Sequence, residues 1–330
     1  MKVLSRILSA LIALAMLACL FTSCSKGSEK KGEGKDEDTP KQTESKVEEA
    51  ESTEPELQST VEQEDPAADG EMDVLIIGNS FSTGWPDELK GLFSSVRIPL
   101  NIYSVYYSGC SLEQHWTWFE EGKNNYRLNR HLDDTGKRKA VEGKTLLECL
   151  AAENWDVISL QQHFGPITAI DYDQSLDSCN PYAEKLFDYL KWNFPKTRLV
   201  FHETWAYEVG YQNTDKTFKL PDKEYQTKCY ENIRDVSRLI ATENKVSLVP
   251  CGDAWQIARQ SVEVGDLTRD KYHDGPVGGG QYLNACVWFE VLTGQSCLGN
   301  TWRPSYGLNE YKVAALQQAA HQAVAENPVK

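Results

Sequence analysis

The four apolar residues from Val74 to Ile77 constrain the fold of this chain more than any other stretch. An apolar run without polar alternation is typical of a parallel β-strand that is covered on both faces. Similar runs recur at intervals along the chain and predict further strands. The five predicted strands lie near residues 73–78, 99–106, 156–161, 197–203 and 246–250.

Segments with helical character separate these strands. The predicted helices lie near residues 86–95, 145–153, 181–193, 222–243, 253–261, 280–293 and 310–325. Alternating strands and helices indicate an α/β fold, in which right-handed crossovers link parallel strands. We therefore predict a three-layer α/β/α sandwich with a central, mostly parallel five-stranded sheet. Residues 111–144 are polar and rich in turn-forming residues, and we predict that they form an insertion.

Ser80 follows the first predicted strand, in the sequence Gly78-Asn79-Ser80. Gly78 permits a tight turn. The turn delivers Ser80 to the carboxyl end of the strand, where open α/β sheets bind their ligands. Ser80 is therefore a candidate nucleophile, although a loop serine without a catalytic role fits this stretch equally well.

Asp270 and His273 lie three residues apart near the carboxyl end of the chain. A serine hydroxyl is a poor nucleophile until a base within hydrogen-bond reach takes its proton. Imidazole is suited to that task near neutral pH, and an aspartate can fix the tautomer of the ring. The two residues are candidate partners of Ser80, although short Asp/His spacings also arise by chance.

Together these residues resemble the sequence blocks of the SGNH (GDSL-like) hydrolase superfamily. The resemblance is greater to a branch found in bacterial lipoproteins and catalogued as a domain of unknown function. It covers roughly residues 73–300: Gly78–Ser80 matches the first block, Ser108–Cys110 the second, and Asp270 with His273 the fourth. The resemblance implies a flavodoxin-like sandwich and ester hydrolysis by a Ser-His-Asp triad. It also implies an oxyanion hole that includes the backbone N–H groups of Ser80 and Gly109.

The third block departs from the superfamily, which has Gly-x-Asn-Asp after its third strand and an asparagine in the oxyanion hole. Here the predicted strand runs into Gln161-Gln162-His163. We assign the asparagine's role to Gln162, because its amide can donate in the same way from a longer arm. Gln161 and His163 are alternatives, and a glutamine pair that only caps the strand is another. Asn79, Gln161 and His163 are also predicted to contact the substrate.

Aromatic residues follow the fourth predicted strand. Trp205 and Tyr207 lie in the loop after that strand, and Trp116 and Trp118 lie in the predicted insertion. Flat aromatic rings at the mouth of a cleft can hold sugar rings, and Trp205 and Tyr207 are the better placed for this role. The alternative is that all these rings pack in the core, where large aromatic residues are also common.

The first 23 residues have the features of a secretory signal peptide. A short basic region is followed by an apolar stretch from Ile7 to Phe21 and then by small residues before Cys24. This pattern predicts cleavage before Cys24 and lipid attachment to it, and hence a protein exported and anchored to a bacterial cell membrane or outer membrane. Cys19 is a second candidate for lipidation, and a retained membrane helix is a further alternative.

Residues 24–71 differ in composition from the rest of the chain. Residues 25–71 contain 16 acidic and 6 basic residues, so they hold most of the net charge of −15. They have almost no large apolar side chains and cannot bury enough surface to offset chain entropy, which predicts a disordered acidic linker. The predicted hydrolase-like domain, residues 72–330, is also acidic, which argues against a nucleic-acid partner.

Cysteine and histidine spacing gives no metal-site motif. The chain contains neither Cys-x-x-Cys nor His-Glu-x-x-His, so we predict no metal and no other cofactor. An exported location permits disulfides, but an odd number of cysteines leaves at least one thiol free. The seven cysteines beyond Cys24 are Cys110, Cys149, Cys179, Cys229, Cys251, Cys286 and Cys297.

The resemblance and the predicted export together imply an exported serine esterase. Its expected substrates are short acyl esters, such as O-acetyl groups, on carbohydrates or small molecules. Two other functions fit the same sequence. One is a catalytically silent glycan-binding lipoprotein, which the altered third block and the aromatic residues favour. The other is an acyltransferase that uses the same triad.

Overall fold

The computed structural model describes residues 70–133, 135–211 and 220–328. The predicted signal peptide, the lipidation candidates Cys19 and Cys24, and the predicted linker as far as residue 69 lie outside the described residues. Within the described ranges, no helix is both long enough and apolar enough to cross a membrane.

The described residues form one seven-stranded mixed sheet. The strands are β1 (Met72–Gly78), β2 (Leu100–Tyr106), β3 (Tyr126–Arg130), β4 (Lys139–Lys144), β5 (Val157–Gln161), β6 (Arg198–His202) and β7 (Ser247–Val249). Their order across the sheet is β4-β3-β2-β1-β5-β6-β7. The five adjacent strands β2, β1, β5, β6 and β7 pair in parallel. Strand β3 is antiparallel to both of its neighbours, β2 and β4.

The predicted α/β sandwich is confirmed, but the predicted number of five strands is wrong. The five strands expected from apolar runs are β1, β2, β5, β6 and β7. The two additional strands, β3 and β4, form a hairpin inside the segment predicted to be an insertion. Only Tyr126 and Leu128 of β3 are buried, and β4 is exposed almost throughout. A search for continuous apolar runs finds strands covered on both faces and therefore misses such a hairpin.

Helices cover both faces of the sheet, and all seven predicted helices are present. The described helices are α1 (Pro86–Ser95), α2 (Leu112–Glu120), α3 (Leu146–Leu150), α4 (Pro166–Ala169), α5 (Tyr172–Asp177), α6 (Asn180–Asn193), α7 (Asp222–Glu243), α8 (Cys251–Ala258), α9 (Gly280–Thr293) and α10 (Glu310–Glu326). Residues Ser80–Ser82 form a short 3₁₀ turn directly after β1.

Strand β1 shows why the apolar run predicts a covered sheet. Val74 and Ile76 point into a core formed with α1, α8, α9 and α10, whereas Leu75 and Ile77 point into a second core formed with α2, α3, α6 and α7. Successive side chains of a strand point to opposite faces. Because both faces of β1 are covered, all four residues are fully buried.

Candidate active site

Ser80 lies where β1 ends and the chain turns sharply. A Cβ atom at Gly78 would lie 2.6 Å from the Ser82 hydroxyl oxygen and 2.8 Å from the Gln161 side chain, so only glycine fits there. Asn79 caps the following 3₁₀ turn because its Oδ1 accepts a hydrogen bond from the Phe81 backbone N–H at 3.1 Å. This local structure leaves Ser80 half-buried at the carboxyl end of the parallel strand.

Ser80, His273 and Asp270 form a continuous hydrogen-bonded chain. The His273 Nε2 lies 2.9 Å from the Ser80 Oγ, and the His273 Nδ1 lies 2.7 Å from the Asp270 Oδ2. An ionised carboxylate only accepts hydrogen bonds, so the contact with Asp270 places a proton on Nδ1 and leaves Nε2 free to act as a base. The structure thus brings together three residues that are 193 positions apart at their widest.

The turn from Asp270 to His273 holds the carboxylate in two ways. The Asp270 Oδ1 accepts hydrogen bonds from the backbone N–H groups of His273, at 2.8 Å, and Tyr272, at 3.3 Å, while Oδ2 binds the ring. Burial by itself would raise the pKa of Asp270, but these hydrogen bonds outweigh it and hold the pKa below its ordinary value. Asp270 therefore stays ionised beside His273 at neutral pH.

Backbone hydrogen bonds close this turn against its surroundings. The Arg269 N–H donates to the His273 carbonyl at 3.0 Å, and Thr268 pairs with Asp274 as an antiparallel bridge. The Glu208 N–H donates to the Lys271 carbonyl at 2.8 Å, which joins the loop after β6 to the turn. These contacts fix the backbone on both sides of His273.

Asn79 and Gln161 lie beneath Ser80 and are fully buried. The Gln161 Nε2 donates to the Asn79 Oδ1 at 2.8 Å, and the Gln161 Oε1 accepts from the Ser82 hydroxyl. The Asn79 Nδ2 donates to the Cys110 carbonyl at 2.8 Å. Both amides are thus engaged within the protein. This placement does not fit the prediction that Asn79 and Gln161 contact the substrate. Their hydrogen bonds instead support the backbone around Ser80.

Gly109 and Gln162, which are assigned to the oxyanion hole, follow β2 and β5, the two strands that flank β1 in the sheet. Gly109 is exposed in the turn after β2, with a φ of 66° that favours glycine. Gln162 follows β5, and its Oε1 accepts a hydrogen bond from the Leu112 N–H at 2.9 Å. This bond engages the amide oxygen and leaves Nε2 as the donor end of the side chain. Gln162 therefore keeps a donor for an oxyanion.

His163 and Tyr207 form a pair beside the three hydrogen-bonded residues. The His163 Nε2 lies 2.6 Å from the Tyr207 hydroxyl, and the His163 ring packs 5.1 Å from the Phe81 ring. Burial, together with repulsion from His273, lowers the pKa of His163 to about 4. The ring is therefore neutral at physiological pH, and it orients the Tyr207 hydroxyl rather than carrying charge.

Trp205 is a core residue, contrary to its predicted place at the mouth of a cleft. It is 1% exposed and stacks on Trp255, with ring centroids 4.3 Å apart. Its indole N–H donates to the Tyr272 carbonyl at 2.7 Å. The predicted contact between Trp205 and a sugar is therefore wrong for this geometry, because the large ring packs under the turn that carries His273.

Three half-buried tyrosines form an aromatic wall beside His273. Tyr207, Tyr211 and Tyr272 contact one another, with ring centroids 5.1–5.5 Å apart. The Tyr272 ring lies 3.8 Å from the His273 ring. Sequence reasoning did not identify Tyr211 and Tyr272 as part of the site. The available signal was the high density of aromatic residues after β6, together with a tyrosine inside the Asp-x-x-His block.

Metal-ligand and disulfide chemistry finds no support among the residues that the structure describes. They contain no group of three or more histidine, cysteine, aspartate or glutamate side chains arranged to hold a metal ion. The seven described cysteines are buried free thiols. The two tryptophans of the predicted insertion, Trp116 and Trp118, pack against the core that includes α2.

Comparison with known protein families identifies the family of this chain. A family model described as a domain of unknown function, DUF4886, matches residues 73–323. The chain belongs to the DUF4886 family. The membership predicted from the sequence blocks is thereby confirmed. A comparison with curated proteins gives no match.

Solved structures are similar to this DUF4886 chain over most of its described length. A DUF4886 protein from Bacteroides uniformis is 31% identical, with 78% of this chain and 97% of that chain covered and a TM-score of 0.68. A proposed SGNH hydrolase from Slackia heliotrinireducens is 18% identical, with coverages of 67% and 99% and a TM-score of 0.45. An acetylxylan esterase from Geobacillus stearothermophilus is 14% identical, with coverages of 71% and 97% and a TM-score of 0.44.

Proposed function

We propose that this protein is a serine hydrolase that cleaves carboxylic esters through an acyl-serine intermediate. The observation that carries the proposal is the chain of hydrogen bonds from Asp270 through His273 to Ser80 at the carboxyl end of a parallel strand. A nucleophile bonded to a base, which is in turn oriented by a carboxylate, is the arrangement that activates a serine hydroxyl.

In the first half of the reaction the Ser80 Oγ attacks the ester carbonyl carbon while the His273 Nε2 takes the hydroxyl proton. Asp270 stabilises the imidazolium that forms. The N–H groups of Ser80 and Gly109 and the Gln162 Nε2 donate hydrogen bonds to the developing oxyanion. The alcohol leaves with the proton held by His273. Water then attacks the carbonyl carbon of the acyl-serine and gives a proton to His273. His273 passes this proton to the Ser80 Oγ as the bond between that oxygen and the acyl group breaks, and the acid is released.

The proposed substrates are short acyl esters, such as O-acetyl groups, on a carbohydrate. The wall formed by Tyr207, Tyr211 and Tyr272 supports this proposal, because flat aromatic faces next to the reacting atoms are suited to hold a sugar ring. Tyr207 also offers a hydroxyl oriented by His163. In this proposal the tyrosine wall, rather than Trp205, holds the sugar ring.

The proposed setting is outside the cytoplasm, with the protein anchored to a bacterial membrane through a lipid on Cys24. The support for this is the signal-peptide pattern of residues 1–23 and the acidic, apolar-poor composition of the segment that follows. The partners proposed are the ester substrate and the lipid-bearing membrane, without a nucleic acid.

Ester hydrolysis by matched variants tests the proposal. The parent protein is expected to release p-nitrophenol from p-nitrophenyl acetate and acetate from acetylated xylan. Ser80→Ala is expected to lower kcat by about 10⁴-fold or more, and His273→Ala by a similar factor. Ser94→Ala is the control, because Ser94 is exposed and its hydroxyl, among the described residues, donates only to the Lys90 carbonyl within its own helix. Equal activity of Ser80→Ala and the parent would overturn the proposal.

Two related measurements separate the alternatives. Folded parent protein that binds acetylated xylan without hydrolysing it, with binding unchanged in Ser80→Ala, would indicate a glycan-binding protein. Acetylated sugar formed when a free sugar is added as acceptor would indicate an acyltransferase, because the acyl-serine would then be passed to an alcohol other than water.

A further inference from the structure

Asp274 directly follows His273 and is 1% exposed. Its carboxyl group lies against Gly84, where an added Cβ would be 2.5 Å from Oδ1 and 2.6 Å from Oδ2. Gly84 lies two residues beyond the 3₁₀ turn Ser80–Ser82. The carboxyl group of Asp274 therefore fills the space between the turn that carries the nucleophile and the turn that carries the base.

Among the described residues, Arg269, the Asn284 side chain and a backbone hydrogen bond of Asp274 favour a negative charge at this position, but burial of the carboxyl group outweighs them. The Asp274 Oδ2 has no hydrogen-bond partner there, and the same is true of Oε2 of Glu88, a second buried carboxyl group on α1. Burial raises the pKa of both groups to about 7, and repulsion between them adds to the shift of Glu88. The neighbouring polar or titratable groups are Asn284 of α9, Cys251 of α8, Tyr306, Arg269 and Asp270.

We propose that Asp274 is a positioning residue that keeps His273 at hydrogen-bond distance from Ser80 and that it acts in its neutral, protonated form. A neutral carboxyl group can pack against Gly84 without an unpaired buried charge. Two ionised carboxylates facing each other would repel and push Asp274 out of this space. Because Asp274 also pairs with Thr268 through its backbone, its displacement moves the turn that holds His273. The inference rests on the proposed hydrolase function.

The sign of the pH effect follows from the raised pKa values. The folded protein holds protons on Asp274 and Glu88 at pH values where the unfolded chain has released them. The folded state therefore loses stability as the pH rises from about 4 to about 7. Hydrolysis by the parent is expected to decline above about pH 7, as Asp274 and Glu88 lose their protons.

Asp274→Asn separates the effect of the side chain's charge from the effect of its shape, because an amide fills the same space and cannot ionise. The expected result is a kcat close to that of the parent at pH 6 and a much smaller loss of kcat at pH 8–9, with KM unchanged. Asp274→Ala and Gly84→Ala remove or displace the carboxyl group and are expected to lower kcat at every pH by about tenfold or more. Asp173→Asn on α5 is the control for removal of a carboxylate elsewhere. Identical pH profiles for Asp274→Asn and the parent would overturn the proposal.

A readout independent of activity separates this inference from the proposed function. The proton between the His273 Nδ1 and the Asp270 carboxylate is expected to give a low-field NMR signal, and its loss in His273→Ala would assign it. This signal is expected to persist to higher pH in Asp274→Asn than in the parent. An inactive parent with that difference would contradict the hydrolase proposal and leave the positioning role supported. An active parent whose signal has the same pH dependence as the variant would contradict the positioning role.

Discussion

Lys271 adopts a φ of 74° between Asp270 and His273. The left-handed region costs a residue with a Cβ about 1–2 kcal/mol, and the cost is greatest for β-branched side chains. This conformation turns the chain so that the Asp270 carboxylate contacts the His273 ring, only three residues away. That hydrogen bond offsets the strain. The side chain of Lys271 is exposed.

Substitution of Lys271 tests this backbone constraint. Lys271→Val is expected to be less stable than Lys271→Gly by about 1–2 kcal/mol, because only glycine adopts positive φ without strain. Chemical denaturation measures the difference, and kcat is expected to be lowered in the valine variant alone. Equal stability of the two variants would contradict the prediction.

Gln162 offers a sharper test of the oxyanion hole than truncation to alanine. Gln162→Glu keeps an oxygen that accepts from the Leu112 N–H but removes the Nε2 donor. Its kcat is expected to fall by about 10²–10³-fold, as for other single oxyanion-hole donors, with little change in KM. Gln162→Ala is expected to lose the same activity and also about 1 kcal/mol of stability, because the buried Leu112 N–H loses its partner. A Gln162→Glu variant with the kcat of the parent would exclude this residue from the reaction.

At the scale of elements, the hairpin of β3 and β4 extends the parallel sheet by antiparallel pairing. Asp87 at the amino end of α1 holds the chain that follows β3, because its Oδ1 accepts from the Leu132 N–H at 3.2 Å and its carboxylate also pairs with Arg138. Burial lowers the pKa of His131 to about 4, so the contact of this ring with Asp87 is not an ion pair at neutral pH. The hydrogen bond from the Leu132 N–H is therefore the main interaction by which Asp87 holds the chain after β3 to α1.

Removal of the Asp87 carboxylate is expected to destabilise the β3–β4 hairpin without affecting the hydrogen bonds among Ser80, His273 and Asp270. Asp87→Ala is expected to cost about 1–2 kcal/mol, from the lost hydrogen bond and the lost acidic group at the helix amino end. Arg138→Ala, which removes a largely exposed ion-pair partner, is expected to cost less than about 1 kcal/mol. Hydrogen exchange should increase in residues 126–144 of Asp87→Ala, whereas an unchanged exchange rate there would contradict the assignment.

At the scale of the whole domain, the described residues bury two cores, one on each face of the sheet. The seven described cysteines are distributed between them and are all buried. Burial raises the pKa of Cys149, Cys179 and Cys229 to about 12, so these thiols resist both ionisation and oxidation.

Thiol titration tests this arrangement. In the full chain with Cys19→Ser and Cys24→Ser, an aromatic disulfide reagent is expected to react with no thiol in the native protein. It is expected to react with seven after unfolding without reductant. A count of five after unfolding would show that one pair had been oxidised, and Cys286 with Cys297 would be the pair to examine because the two side chains interact.

Particular residues show how far sequence reasoning reaches. The apolar run of Val74–Ile77 and its counterparts predict five strands correctly, because burial on both faces leaves a continuous pattern. The hairpin β3–β4 leaves no such pattern, since β4 is exposed almost throughout. Trp205 and Tyr272 illustrate the same limit at the site. Both are aromatic, and they lie near a strand end and within the Asp-x-x-His block, respectively. Only packing decides that the first is buried on Trp255 and the second lies against His273.

The sequence by itself determined the parallel strands, their helices and the identity of Ser80, Asp270 and His273 as candidates, because these depend on local residue patterns and short spacings. Tertiary structure alone decided that the Ser80 hydroxyl meets the His273 ring, that Asn79 and Gln161 lie beneath Ser80, and that Asp274 is buried against Gly84. The physical reason is that hydrogen bonds and burial depend on which distant segments the sheet brings together. No single segment carries that information.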